Sequence, residues 1–249
     1  PLPFSQARGA SPALSLSYNS GAGNGIFGLG WSLGLSTLKR KTDKELPKYV
    51  DGIDSDTYLF TGAEDLVPEL EYNKDIKEWE EKRIDDRNLS ENTYSIKRYR
   101  PRIEGSFARI ERWTDLASGE IKWRVITKEN ITTLYGWTNQ SRLVDPADPN
   151  RIFEWHPEFV FDDKGNCSHY VYKKEDDAGF DPSSLHNRNR LKDGKISYTN
   201  LYLEKIYYGK KPPSYQYFGD TFPEKDEYLF ETMFDYGEYN PNTPYEKIG

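Results

Sequence analysis

Ile121-Lys122-Trp123-Arg124-Val125-Ile126 decides the fold. Ile121, Trp123 and Val125 share one face and Lys122 and Arg124 the other, the period-two pattern of a half-buried strand. Upstream, Phe107, Arg109, Glu111 and Trp113 oppose Ala108, Ile110 and Arg112, and Tyr94-Ser95-Ile96-Lys97-Arg98-Tyr99 precedes them. Between the two runs, Leu116-Ala117-Ser118-Gly119-Glu120 reads as a turn. Downstream, Thr132-Thr133-Leu134-Tyr135-Gly136-Trp137 ends at a glycine. Short strands at such close spacing predict an all-β chain of meandering antiparallel hairpins, with at most one or two short helices.

Composition supports a folded β domain. The chain has 249 residues, 30% charged and only 35% hydrophobic, with a mean hydropathy of −0.89. Those values alone lean toward disorder, but 6 Trp, 19 Tyr and 12 Phe do not. No apolar run reaches the roughly 18–20 residues of a spanning helix, which argues against a membrane role. A net charge of −7 argues against nucleic acid and anionic lipid as partners. Cys167 is the single cysteine, so no internal disulfide frames the fold. The chain opens at Pro1-Leu2-Pro3 with no initiator methionine or signal-peptide pattern, and it is expected to be a fragment of a larger protein.

Residues 1–38 have a character of their own. Leu14-Ser15-Leu16-Ser17-Tyr18 alternates as a strand, followed by Gly21, Gly23, Gly25, Gly28, Gly30 and Gly34. Over Gly28–Leu35 an extended chain would place Leu29, Trp31, Leu33 and Leu35 on one face and glycine and serine on the other, which suits a tight bend or a sheet whose bare face lies against another backbone. Tyr58-Leu59-Phe60 and Leu66-Val67-Pro68 flank a predicted turn over residues 61–65. The polar stretch 71–92, with Ile76, Trp79 and Ile84, holds the one candidate helix or else a solvated insertion; 173–197 is a second polar insertion. Phe159 to Tyr172 reads as a hairpin around Asp162-Asp163-Lys164-Gly165-Asn166. Tyr135-Gly136, Tyr208-Gly209 and Tyr236-Gly237 read as recurrent strand terminators.

Candidate chemistry is sparse. Gly23-Asn24-Gly25-Ile26-Phe27-Gly28 fits G-x-G-x-x-G, yet a dinucleotide site needs a helix at the third glycine, and Leu29-Gly30-Trp31 is a poor one. His156, His169 and His186 lie apart, outside any metal or triad spacing. Asp51, Asp54 and Asp56 imitate a calcium loop, but Gly52 is misplaced for one. Carboxylate runs such as Glu78-Trp79-Glu80-Glu81 read as solvated surface. Asn88, Asn130, Asn139 and Asn166 head N-x-S/T triplets, relevant only in a eukaryotic secretory setting. Rows of exposed Trp and Tyr would suit sugar rings, whereas cross-strand tyrosine pairs would merely stabilise the sheet. No catalytic, cofactor-binding or metal residue is nominated, and no cofactor is expected.

Several strings are more specific. Ser5 to Ser20, continued through Gly28-Leu29-Gly30-Trp31-Ser32-Leu33, resembles the opening of the SpvB-type domain of bacterial insecticidal toxin complex (Tc) B components and of the Salmonella virulence protein SpvB. Lys41-Thr42-Asp43 with Leu46-Pro47, residues 62–68, Asn139-Gln140-Ser141-Arg142, residues 162–166 and Phe234-Asp235-Tyr236-Gly237-Glu238 fit the same family in order. The resemblance covers residues 1–249 as one SpvB-type domain and matches least at 71–92 and 173–197.

It implies part of an RHS-like hollow β-sheet shell that encloses a cytotoxic effector before delivery. The implied partners are an RHS-repeat Tc C component with its effector, and a pore-forming A component reached through a propeller outside this fragment. The implied setting is a secreted toxin complex assembled in the bacterial cytoplasm. No enzymatic activity is expected within these residues. The alternatives are a secretion or translocation module of a mono-ADP-ribosyltransferase toxin, and a carbohydrate-binding β module. Glu78-Trp79-Glu80 mimics the transferases' E-x-E but lacks their upstream arginine strand and Ser-Thr-Ser motif.

Overall fold

The computed structural model describes every residue except 10, 61–64, 90–91, 177–180, 182, 193–194, 212–221, 241 and 248–249. One 14-stranded antiparallel sheet dominates. In chain order its main strands are β1 (Leu38–Arg40), β2 (Tyr58–Phe60), β3 (Asp65–Pro68), β4 (Asn92–Pro101), β5 (Arg109–Asp115), β6 (Ile121–Ile126) and β7 (Thr132–Tyr135). They continue as β8 (Arg142–Asp145), β9 (Asp148–Trp155), β10 (Pro157–Phe161), β11 (Cys167–Lys174), β12 (Leu201–Lys210) and β13 (Tyr228–Met233). The spatial order is β8-β9-β1-β2-β3-β4-β5-β6-β7-β10-β11-β12-β13, with Arg83–Leu89 pairing onto β4 from the side.

That order hides a closure. Only His156 separates β9 from β10, yet β9 pairs β1 at Trp155↔Leu38 while β10 pairs β7 at Pro157↔Tyr135. A single long strand thus joins both ends of β1–β7 and wraps them into a circuit. His156 makes the join through its backbone, donating to Ser141 O at 2.8 Å and accepting from Gly136 N at 2.9 Å. One buried cluster fills the interior: Leu38, Tyr58, Leu66, Tyr99, Ile110, Ile121, Trp123, Val125, Tyr135, Ile152 and Trp155. Every strand of the circuit contributes to it, as closure of a small barrel requires. The rings meet edge to face: Trp123 lies 4.9 Å from Tyr58, 5.3 Å from Tyr99 and 6.0 Å from Trp155.

Residues of opposite strand parity build a second core outside the circuit, with Tyr94, Ile96, Trp113, Leu134 and Phe159 meeting Tyr207 and Tyr228. A third lies over β11 and β12, where Leu2, Phe4, Ala7, Leu33 and Leu35 of the N-terminal segment cover Tyr170, Leu203, Ile206 and Tyr208.

The all-β expectation holds, and the hairpin around residues 162–166 forms as read: Asp162 accepts from the backbone of Lys164 and Asn166, and Gly165 has φ 82°. Of the three Tyr-Gly pairs only Tyr135-Gly136 ends its strand; Gly209 lies within β12 and Gly237 beyond the end of β13, although all three glycines have positive φ, 58°, 70° and 92°. β2 and β3 pair as expected, although residues 61–64 of their turn lie outside the described residues.

In two segments the structure selects between alternatives that the sequence left open. Among the described residues of 71–92 there is no helix, and the exposed-insertion alternative fits the hairpin: Leu70–Asn73 pairs with Glu78–Glu81, both mostly exposed, and Tyr72 sits opposite Trp79 with ring centroids 5.5 Å apart. The cross-strand aromatic pair outweighs a loosely helical spacing in a charged segment. Among the described residues, helical structure is limited to short 3-10 turns at Asp51–Ile53, Asn139–Ser141, Leu185–Arg190 and Lys225–Glu227. The second is Gly28–Leu35, which is not one strand but bends at Gly30 (φ 79°) into Gly28–Leu29 and Trp31–Leu33, the tight bend its glycines allowed. A Cβ at Gly30 would lie 2.6 Å from the Tyr18 ring and 2.9 Å from Asn19 O, so the bare position serves a close approach of both side chain and backbone. The G-x-G-x-x-G string is a hairpin, Asn24–Gly25 on Gly28–Leu29, with no helix for a phosphate.

At Gly136 positive φ and space act together, because a Cβ would lie 2.2 Å from Trp155. Gly136→Ala is expected to lose roughly 2–4 kcal/mol from backbone strain and overpacking combined, read by urea denaturation.

Candidate functional site

The most organised polar constellation lies where the β1–β2 connection folds over one end of the circuit. Arg40 is 1% exposed; its Nε donates to Ile152 O at 2.8 Å, and Nη1 reaches Asp51 at 2.7 Å and Asp56 at 2.6 Å. The guanidinium lies over the Tyr58 and Trp155 rings, each 5.4 Å to centroid. Tyr58 Oη donates to Asp51 at 2.9 Å. Asp54 forms ion pairs with both Lys97 and Arg112, and Lys97 also meets Glu81 at 2.6 Å. Three inward cations are thus matched by three aspartates of one loop.

The loop is shaped by the same carboxylates. Asp56 accepts from the backbone N–H of Lys48 at 2.8 Å and of Tyr49 at 2.9 Å. Asp54 follows the Asp51–Ile53 turn with φ 47° and ψ 50°, left-handed backbone that aspartate tolerates better than most residues. Burial alone would raise the Asp54 pKa, but hydrogen bonds and charge from Lys97 and Arg112 overcome it and hold the carboxyl below its usual range. Burial likewise opposes, and the Lys48, Tyr49 and Arg40 donors outweigh it, at Asp56. Burial pushes the Tyr58 phenol up to about 12.

Two further networks hold the outer face and the closure. Glu111 is fully buried, pairs with Arg109, and accepts from Arg124 Nε at 2.7 Å and Trp113 Nε1 at 3.1 Å. Arg142 donates to Gly136 O and to Glu120, both at 2.6 Å. Glu158 takes the Thr138 N–H and hydroxyl at 2.7 Å each, with Ser141 Oγ at 2.6 Å. The shared chemistry is neutralisation of charge that strand pairing has forced inside.

The sequence candidates disperse. Asp51, Asp54 and Asp56 converge as counter-ions to cations, and the described residues hold no cluster of three His, Cys, Asp or Glu groups suited to a metal. His169 stacks on Phe159 at 4.3 Å within the β10–β11 hairpin. His156 is the closure residue, 5.2 Å from the Tyr172 ring. The side chain of His186 lies outside the described residues. Cys167 is buried, accepts from Tyr228 Oη at 3.4 Å, and burial pushes its thiol up to about 12.

Asn166 donates to Asp162 at 2.6 Å in a buried pocket, a setting that leaves no room for a glycan. Glu78-Trp79-Glu80 lies on the exposed hairpin strand. Of the six tryptophans, Trp113, Trp123, Trp137 and Trp155 are core residues, leaving Trp31 and Trp79 exposed. Sequence reading missed Arg40, Lys97, Arg112 and Glu111. Their one signal was a lone charge at an inward phase of an aromatic strand.

Such a domain is a scaffold of strands, organised around internal neutralisation and an aromatic core. The chain belongs to the family described as Salmonella virulence plasmid 65kDa B protein, which it matches over residues 1–248. It is 32% identical over 247 residues to the mono(ADP-ribosyl)transferase SpvB of Salmonella typhimurium and, equally, to that of Salmonella dublin. The match covers 98% of this chain and 40% of those relatives. The N-terminal domain of the effector SpvB from Salmonella typhimurium strain LT2 superposes with a TM-score of 0.84 at 31% identity, covering 99% of this chain and 76% of that one. The TcdB2–TccC3 complex superposes at 0.79 and 30%, covering 100% of this chain and 12% of that one. The Photorhabdus luminescens Tc holotoxin pore superposes at 0.82 and 29%, covering 100% and 11%. This chain therefore matches the N-terminal domain of SpvB proteins, as its opening strings suggested.

Glu111→Ala would remove the buried carboxylate that pairs with Arg109 and Arg124 and accepts from Trp113, so it is expected to cost roughly 3–5 kcal/mol in a denaturation experiment. Burial and the Lys225 charge push His169 down to about 4. The unfolded chain binds this proton first, so stability is full above about pH 6.5 and falls by about 3 kcal/mol as pH drops toward 4. His169→Phe is expected to flatten melting temperature across that window.

Proposed function

We propose that this domain is a non-enzymatic wall segment of a toxin assembly, forming part of a β-shell that holds a cytotoxic effector until delivery. The observation that carries the reading is the end-to-end likeness to TcdB2–TccC3, in which the matched region is 12% of a far longer chain. Two features of the surface support it. The terminal strands β8 and β13 pair on one side only among the described residues, and Leu229 on β13 is 61% exposed. Residues 9–38 carry no charged side chain, yet leave Tyr18, Leu29 and Trp31 exposed. Unpaired edges and uncharged apolar surface are features that an assembly covers.

In this reading the partners are an RHS-repeat C component with its enclosed effector, and a pore-forming A component reached through a propeller beyond these residues. The complex is secreted after assembly in the bacterial cytoplasm. Residues 1–249 act as one SpvB-type domain, and 71–92 and 173–197 are loops particular to its lineage. The match to mono(ADP-ribosyl)transferase SpvB favours a second reading, a secretion or translocation module for a transferase domain elsewhere in the parent protein.

Co-expression of the full-length protein with its RHS partner and effector tests the first reading. Deleting residues 28–35 is expected to prevent assembly. Leu229→Lys is expected to reduce it while leaving the melting temperature unchanged, because the side chain is outside the core. Variants that assemble and shield the effector from protease as well as the parent does would contradict it.

A further inference from the structure

The hairpin Leu70–Asn73/Glu78–Glu81 leaves the main sheet at a node of three backbone hydrogen bonds. Glu69 N donates to Arg98 O at 2.9 Å, Lys82 N to Glu69 O at 2.7 Å and Arg98 N to Lys82 O at 3.1 Å. Between this hairpin and the segment leading into β5 opens a groove of about 810 Å³, within the usual range of small-ligand sites. Two aromatic rings stand in it largely uncovered, Trp79 at 67% and Phe107 at 70% exposure.

Both rings are positioned. Trp79 rests edge-on against Tyr72. Phe107 has φ 52°, a conformation that bulky residues rarely adopt. The Glu104 carboxylate maintains it by accepting from the N–H of Phe107 at 2.7 Å and of Gly105 at 3.1 Å. Strain of this kind costs about 1–3 kcal/mol and is found where a site uses it. Here it presents an aromatic ring to solvent, which no packing requirement explains.

The polar lining sets Arg98, Arg100 and Arg109 against Glu69 and Glu104, and Arg109 is itself paired with the buried Glu111. Arg98 and Glu69 approach only to 3.7 Å, and Arg98 Nε makes no hydrogen bond among the described residues. Arg100 is exposed, and Glu104 faces the same space.

We propose that this groove binds a neutral oligosaccharide. The apolar faces of sugar rings stack on Trp79 and Phe107, while hydroxyls donate to Glu69 and accept from Arg98 and Arg100. Fixed rings with adjoining hydrogen-bond donors and acceptors suit polyhydroxylated ligands better than a peptide or a phosphate. The inference does not depend on the shell reading.

Calorimetric titration of the 249-residue chain with malto-, cello-, chito- and manno-oligosaccharides, and with sialyllactose and heparin fragments, tests it. Saturable binding of at least one neutral oligosaccharide is expected, weakened by about tenfold or more in Trp79→Ala and unchanged in Trp31→Ala. Phe107→Gly is expected to lose binding while raising the melting temperature, an effect that a purely structural Phe107 would not give. Failure of every neutral sugar to bind, binding of acidic sugars alone, or binding that survives Trp79→Ala would overturn the proposal.

Discussion

The interaction on which the rest of the structure depends is the neutralisation of Arg40, Lys97 and Arg112 by Asp51, Asp54 and Asp56. Closing the strand circuit places these cations among tyrosine and tryptophan rings, where an unpaired charge would cost several kcal/mol. The aspartates arrive on one loop, and that loop takes its shape from the hydrogen bonds those carboxylates accept. Charge pairing and loop folding are one event. This arrangement also resolves the composition: a chain with only 35% hydrophobic residues folds because aromatic rings and paired charges fill its interior.

Legibility in the sequence followed the range of the interactions. The alternation in Ile121–Ile126 specified a strand because its neighbours are local hairpins, and the glycines at 136, 209 and 237 marked real positive-φ positions. The circuit could not be read, since it rests on Trp155 meeting Leu38, residues far apart in sequence. Over 71–92 the sequence left a helix and a solvated insertion open for a related reason: Trp79 answers to Tyr72 across a turn and not to a helical neighbour. The aspartate triplet was visible as a cluster, but its meaning depended on three cations contributed by separate strands. The family strings were legible throughout, because they preserve order along the whole chain.

Interior charge networks, terminal strands paired on one side only among the described residues and an uncharged apolar N-terminal segment support the proposed wall segment. Its buried-charge chemistry lies inside, holding shape, while the surfaces left open are those through which the proposed wall would extend. Relatives in which this domain is 11% or 12% of the chain are consistent with such a role.

The most direct measurement is hydrogen–deuterium exchange at the β13 amides, Tyr228–Met233, in the isolated chain and in the proposed assembly with an RHS-repeat C component. The β13 amides that face β12 are hydrogen-bonded in both states, whereas a wall segment predicts that the amides on the opposite edge exchange slowly only in the assembly, as that edge becomes paired. Equal exchange in both states, with the assembly intact, would contradict the account.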